Sequence, residues 1–267
     1  MIAPAKLPLR YRLFNVRWGA PSGRLTRKAL PRRLRLTRLG ALLSGCFAYQ
    51  VNNTTRVFEY PWVFETLGIR PGLRVLEIGG SLAGLQFVLD KAGCDVVNVD
   101  PGDELFVGDW APTPQAFQLL NEALGTDVCL VNGYLEDAKF PDESFDRVIS
   151  VSVFEHIAEP ALATILAEIR RVLKPGGLAV MTVDLFLDVQ PFAPAASNAY
   201  GHNVSVKWIV ETSGLDLVGG RRAELYGYEE FDWRAVPPLV DGDGVHCLRG
   251  VVSNFPQGDL PRQGGGH

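Results

Sequence analysis

Acidic residues are missing from the start of this 267-residue chain: none precedes Glu59, while twelve of the 26 Lys and Arg residues do. The remainder holds fourteen bases against 30 acids, a net of −16 that the overall charge of −4 conceals. An acidic body repels phosphate, and the basic arm has only Tyr11, Phe14 and Trp18 among its first charges. That is too few aromatics for a base-stacking surface, so a nucleic-acid partner is not expected. Cysteine is scarce. Cys46, Cys94, Cys129 and Cys247 lie far apart and form no C-x-x-C pair, which indicates neither a zinc site nor a disulfide framework and fits a reducing compartment. The histidines, His156, His202, His246 and His267, show no metal-ligand spacing, and no metal is expected. Long apolar runs are lacking too: the uncharged stretch 39–55 includes Gln50, Asn52, Asn53, Thr54 and Thr55, too polar for the roughly 20 apolar residues of a membrane span. The arm has almost no Ser and no uninterrupted apolar segment, which argues against a cleaved leader and for a cytoplasmic protein.

What is present is a globular composition, with 47% hydrophobic residues and 28 Gly and 18 Pro in no short period. From Leu73 onward, short β-rich runs alternate with helical periodicity, the pattern of an α/β fold with a mainly parallel sheet. Strands are expected at 75–78, 95–99, 128–131, 147–153 and 178–183, followed by two more at 215–218 and 245–253. Leu162, Ile165, Leu166, Ile169 and Leu173 share one helical face, opened by Pro160 and stopped by Lys174-Pro175-Gly176-Gly177. A helix is expected from about Val204 to Thr212. The chain divides into a basic extension (1–55), a catalytic-size domain (56–255) and a Gly/Pro-rich flexible tail (256–267).

In open α/β sheets ligands bind at the carboxyl ends of the strands, so the residues that follow each strand carry the functional signal. After the first strand come Glu77-Ile78-Gly79-Gly80-Ser81-Leu82-Ala83-Gly84, small residues that let a ligand approach the backbone at a helix N-terminus. Asp100 follows the second strand, 21 residues beyond Gly79, where an acid can accept hydrogen bonds from ribose hydroxyls. Phe140-Pro141-Asp142-Glu143-Ser144-Phe145-Asp146 precedes the fourth strand, and Phe154-Glu155-His156-Ile157 follows it.

Together these segments resemble the class I S-adenosylmethionine-dependent methyltransferases. The resemblance is to the group in which a strand-ending Glu-x-Gly-x-Gly-x-Gly is followed by Pro-Phe-x-Asp-x-Ser-Phe-Asp, Glu-His-Ile or Glu-His-Val, and Arg-Val-Leu-Lys-Pro-Gly-Gly. Here the counterparts are Val75-Leu76-Glu77-Ile78-Gly79, Phe140 to Asp146, Glu155-His156-Ile157 and Arg171-Val172-Leu173-Lys174-Pro175-Gly176-Gly177, so the resemblance spans 73–183. Ser81 and Ala83 replace the family's second and third glycines, and Tyr134 stands where the family has an adenine-side acid. Glu136, Asp137 or backbone carbonyls remain for that role.

The resemblance implies a Rossmann-like methyltransferase fold, a mainly parallel seven-stranded sheet with helices on both faces, and S-adenosylmethionine as cofactor. It places Glu77, Gly79, Gly80 and Ser81 at the methionine end, Asp100 at the ribose, and Tyr134 and Leu135 at the adenine. Tyr60, in the pre-core segment, is expected to face the sulfonium by cation–π attraction or else to pack the helix before the first strand. Methyl transfer is an in-line displacement, gaining most from positioning and water exclusion. An oxygen acceptor must also lose a proton, for which His156 is the first candidate base and Asp184 the second, with helix capping as the competing role for His156. The expected activity is transfer of the methyl group to a small-molecule or glycan acceptor, with His202 and Asn203 near the acceptor. An NAD(P)-dependent Rossmann oxidoreductase is the rival reading, since Gly79 and Gly84 match the ends of G-x-G-x-x-G, but Ser81 breaks it. A non-catalytic donor-fold binding protein is a third. The arm is expected to be a solvated extension or a contact for an anionic surface.

Overall fold

The computed structural model describes residues 6–25, 30–102, 112–186, 188–219 and 245–253. Strands β1 (Arg74–Ile78), β2 (Asp95–Val99), β3 (Cys129–Val131), β4 (Phe145–Val151), β5 (Leu173–Phe186), β6 (Asp216–Gly219) and β7 (Val245–Ser253) form one sheet in the order β3-β2-β1-β4-β5-β7-β6. The first five pair in parallel and β7 runs antiparallel between β5 and β6. The chain leaves β1 towards one edge and returns beside it as β4, so the ligand-binding switch point falls between β1 and β4. Central strands are apolar on both faces because helices cover both: Leu76 and Ile78 enter one core cluster with Leu162, Leu166 and Ile169, and Val75 enters the other with Leu85 and Leu89.

Local signals explain the helices. In α6 (Pro114–Leu124), the Thr113 side chain accepts from the Ala116 N–H, Pro114 occupies the first turn and Gly125 ends the helix in the left-handed conformation. α7 (Glu159–Val172) buries Leu162, Ile165, Leu166 and Ile169, as their spacing predicts. α8 (Val206–Ser213) is capped by Ser205 and closed by Gly214. The motif Lys174-Pro175-Gly176-Gly177 does not separate helix from strand as expected. β5 already begins at Leu173, paired with Phe145, and the ladder resumes at Arg147 opposite Leu178. The intervening residues bulge outwards, with Gly176 at φ +73°. Arg171 clamps this corner by donating to the Phe140 carbonyl at 2.7 Å and to Asp142, while Lys174 meets Asp146 at 2.9 Å. These motif residues hold structure at the end remote from the site.

The basic extension is part of the body. Helices α1 (Leu9–Trp18), α2 (Arg32–Arg35) and α3 (Arg38–Ser44) precede α4 (Arg56–Thr66), and Ala41, Cys46, Phe47, Ala48 and Tyr49 enter the same core as Val75, Leu85 and α5 (Leu85–Lys91). This answers the expectation of a solvated arm: the segment after α3 is apolar and finds a buried place. Pro61 lies inside α4 and cannot donate to the Val57 carbonyl. Asn15 of α1 does so instead, at 2.8 Å. The flexible tail expected at 256–267 lies outside the described residues. Among the described residues no helix is long and apolar enough to cross a membrane.

Candidate functional site

The loop after β1 is drawn tight by its own backbone. Gly79 turns at φ +68°, and a Cβ there would lie 2.7 Å from Val153. A Cβ on Gly80 would lie 2.7 Å from the Glu77 carboxyl carbon and 3.0 Å from the Asn98 amide oxygen. From Gly79 to Ala83 every N–H has an acceptor. Gly79 donates to the Val99 carbonyl, Gly80 to Asn98 Oδ1, Ser81 to Asp100 Oδ2, Leu82 to Gln50 Oε1 and Ala83 to the Gly80 carbonyl, over 2.8 to 3.1 Å. Ser81 adopts φ +44°, a conformation that costs a non-glycine residue roughly 1–3 kcal/mol and is held here by its neighbours. Gln86 donates to the carbonyls of Ser81 and Ala83. The loop that departs from the glycine pattern is therefore stapled by Asn98, Asp100, Gln50 and Gln86.

Two buried acids face this loop. Asp100 accepts from Ser81 N–H and, through its other oxygen, from Gly102 N–H at 2.8 Å, which locks the ends of β1 and β2 together. Glu77 is buried with its Oε2 lacking a hydrogen-bond partner among the described residues. Burial first, and the Asp100 charge second, push the Glu77 carboxyl up to about 8. An orphaned carboxyl and a second acid beside small residues fit a ligand carrying an ammonium group and hydroxyls. Leu135 is buried in the core, while Tyr134 stands exposed at the start of the turn Leu135–Asp137. Tyr60 is buried, its hydroxyl donating to Asn52 at 2.9 Å and its ring 4.7 Å from that of Phe47. It enters the same core cluster as Phe47, Val63 and Leu67.

A second polar cluster occupies the ends of β4 and β5. Arg56 pairs with Glu59, reaches Ser152 Oγ at 2.6 Å and lies 3.5 Å from Asp184. Glu59 also accepts from Thr182 at 2.6 Å and from Ser152 at 2.9 Å. Glu155 Oε1 accepts from the Asp184 N–H at 3.2 Å, while its Oε2 is buried without a hydrogen-bond partner among the described residues. Burial would raise the Glu59 carboxyl, but Arg56 and the hydroxyl donors outweigh it and hold it below the usual range. Burial and the Asp184 charge push Glu155 well up. Asp184 rises to about 6, by burial against the pull of Arg56. In this coupled pair the Glu155 carboxyl is held well above its ordinary range, and Asp184 is raised to about 6. His156 lies at the exposed rim beside Gly201. Partial burial of its ring, then Arg56 and His202, lower its pKa and keep the imidazole neutral near pH 7.

Sequence reasoning located Glu77, the loop, Asp100 and Asp184, but it missed Arg56, Glu59 and Glu155 as a cluster and Asn98 and Gln50 as staples. Asn98 carried a signal, being the one polar residue inside an apolar strand, Val96-Val97-Asn98-Val99. Gln50 carried none. His202 donates its N–H to the Glu155 carbonyl at 3.0 Å, and Asn203 ties the backbone of Phe186 to Gln190, so both fix the loop over β5.

Residues 76–181 match a family model described as a methyltransferase domain. A sterol 24-C-methyltransferase of Gibberella zeae is 29% identical over 118 residues, which is 44% of this chain and 29% of that enzyme. An uncharacterized methyltransferase of Mycolicibacterium vanbaalenii is 30% identical over 166 residues, covering 62% of this chain and 54% of that protein. This chain thus spans less than a third of the sterol enzyme and about half of the mycobacterial protein. Among solved structures, phosphoethanolamine N-methyltransferase 2 of Haemonchus contortus, in complex with S-adenosyl-L-methionine, shares the fold with a TM-score of 0.52 at 16% identity, over 87% of this chain and 60% of that one.

Proposed function

We propose that the protein transfers the methyl group of S-adenosylmethionine to an oxygen of a small-molecule or glycan acceptor, a reading supported by the match of residues 76–181 to a methyltransferase domain. The observation that carries this reading is the pairing of two sites across the switch point: Glu77 and Asp100 at the ends of β1 and β2, and Asp184 with Arg56 and Glu155 at the ends of β4 and β5.

When bound, S-adenosylmethionine supplies an electrophilic methyl group on a sulfonium. Glu77 is suited to receive the ammonium of the donor, and Asp100 its ribose hydroxyls. Gly79 and Gly80 keep the approach clear, since any side chain there meets Val153 or Glu77. On the acceptor side Asp184 is the group with the right proton affinity to take the hydroxyl proton as the oxygen becomes a nucleophile. Arg56 and Ser152 hold its carboxylate in place at 3.5 and 3.3 Å. His156 stands at the rim as an alternative base. Leu185 and Phe186 at the end of β5, and Val189 after it, supply buried apolar walls that exclude water.

The test is calorimetry with S-adenosylhomocysteine followed by transfer of labelled methyl to pools of hydroxylated acceptors. Asp184→Asn should bind the donor product as the wild type does and lose roughly 10²-fold or more in turnover. No binding by the wild type overturns the methyltransferase reading. Full turnover by Asp184→Asn overturns the role of Asp184.

A further inference from the structure

Exposed apolar side chains gather on one part of this molecule. Of the twelve large hydrophobic residues exposed among the described residues, nine precede residue 52. Leu9, Leu13 and Val16 repeat at helical spacing on the outer face of α1, while Tyr11, Phe14 and Trp18 on its inner face pack against the body. In α3, Gly40, Ala41 and Ser44 face inwards and Leu39 and Leu42 face out. These five outward residues are 60% to 71% exposed. The C-terminal ends of the two helices are tied together, because the Arg24 guanidinium donates to the Val16 carbonyl at 2.8 Å and to the Leu42 carbonyl at 2.7 Å.

The charges on α1 and α3 themselves have one sign. Arg12 and Arg17 flank the α1 stripe, and Arg33 of α2 and Arg38 at the start of α3 lie exposed. None of the four is in an ion pair among the described residues, whereas Arg10 pairs with Glu65. No acidic residue precedes Glu59, and the rest of the chain carries a net −16.

We propose that the outer faces of α1 and α3 dock the protein on an anionic lipid bilayer, with Leu9, Leu13, Val16, Leu39 and Leu42 entering the acyl boundary and the arginines meeting lipid phosphates. An aliphatic stripe edged by guanidinium groups is the pattern of a helix lying in the plane of a membrane interface. Leu and Val are under-represented among the anchors of protein interfaces, where Trp and Tyr dominate, and here the aromatic residues of α1 turn inwards. The charge asymmetry favours this orientation, since the rest of the chain carries a net −16 and an anionic surface acts on exposed charges within a screening length of about 8 Å. The inference does not depend on methyl transfer.

Flotation with vesicles tests it. The wild type should co-float with phosphatidylcholine vesicles containing phosphatidylglycerol and stay behind with phosphatidylcholine alone, and binding should weaken at about 0.5 M salt. Leu13→Ser with Val16→Ser, and separately Arg12→Glu with Arg17→Glu, should each lower the bound fraction roughly tenfold or more. Thermal unfolding shows that each variant is folded. The proposal is overturned if the wild type fails to float with anionic vesicles in low salt, or if Leu13→Ser with Val16→Ser floats as well as the wild type. It is equally overturned if sedimentation shows a wild-type dimer, lost in that variant, without vesicle binding; the face would then join two copies of this chain.

Discussion

Glu77 offers a test in which one substitution separates burial from function. Its carboxyl ordinarily titrates near 4.5 and is pushed up to about 8 in the fold. In the folded state the proton is therefore held through the interval in which the unfolded chain has released it. The folded state binds more protons across that interval, so stability is fully present below about 4.5 and falls as pH rises towards 8. The slope is about 1.4 kcal/mol per pH unit, which sums to roughly 4–5 kcal/mol over the whole interval as an upper figure. Glu77→Gln keeps the shape and removes the titration. Urea unfolding of both proteins from pH 5 to 9 should show the variant gaining on the wild type steadily until about pH 8 and levelling beyond it. A difference between the two that stays flat from pH 5 to 8 would refute the reasoning. If the ionised carboxyl receives the donor's ammonium, donor binding also releases a proton below pH 8, visible as calorimetric heats that depend on the buffer's ionisation enthalpy.

Three further outcomes are expected. Arg56→Met leaves Glu59 and Asp184 without their buried cation and should cost roughly 3–5 kcal/mol in urea unfolding, partly recovered when Glu59→Gln is added. Gly80→Ala drives a methyl group into the Glu77 carboxyl and the Asn98 amide; it should lower stability by roughly 1–3 kcal/mol and abolish donor binding in calorimetry. Asn15→Ala orphans the Val57 carbonyl left free by Pro61. It should cost roughly 1–3 kcal/mol, with faster amide hydrogen exchange in α1 as its signature.

What could be read in the sequence was what is written locally. Strand ends, the glycine turn, Asp100 and the α7 stripe are strings in which a change of period or a cap sits next to the residue it positions. The sheet is seven-stranded and mainly parallel, as the resemblance implied. β5 extends beyond its predicted bounds because pairing with Phe145 starts before the Pro-Gly-Gly bulge. Partnerships between distant residues left no trace. Arg56 and Asp184 are brought together only when α4 crosses the ends of β4 and β5, and Asn15 looks like any surface asparagine until Pro61 frees a carbonyl above it. Ser152 was invisible for a different reason: its left-handed φ of +49° accompanies a backbone N–H bonded to Thr182 and a hydroxyl bonded to Glu59, both far away in sequence.

The hydrogen bond from the Leu82 N–H to Gln50, with Phe47 filling the space beside Gly84 where a Cβ would lie 2.6 Å from its ring, gives the loop after β1 a wall built outside the segment that matches the family. The recognisable fold is consequently not a portable unit. A fragment starting at Arg56 would keep every matching motif and yet present the donor with an uncapped amide and an empty slot at Gly84. Chimaeras that graft this N-terminal stretch onto another chain would have to carry the partner side of that wall as well.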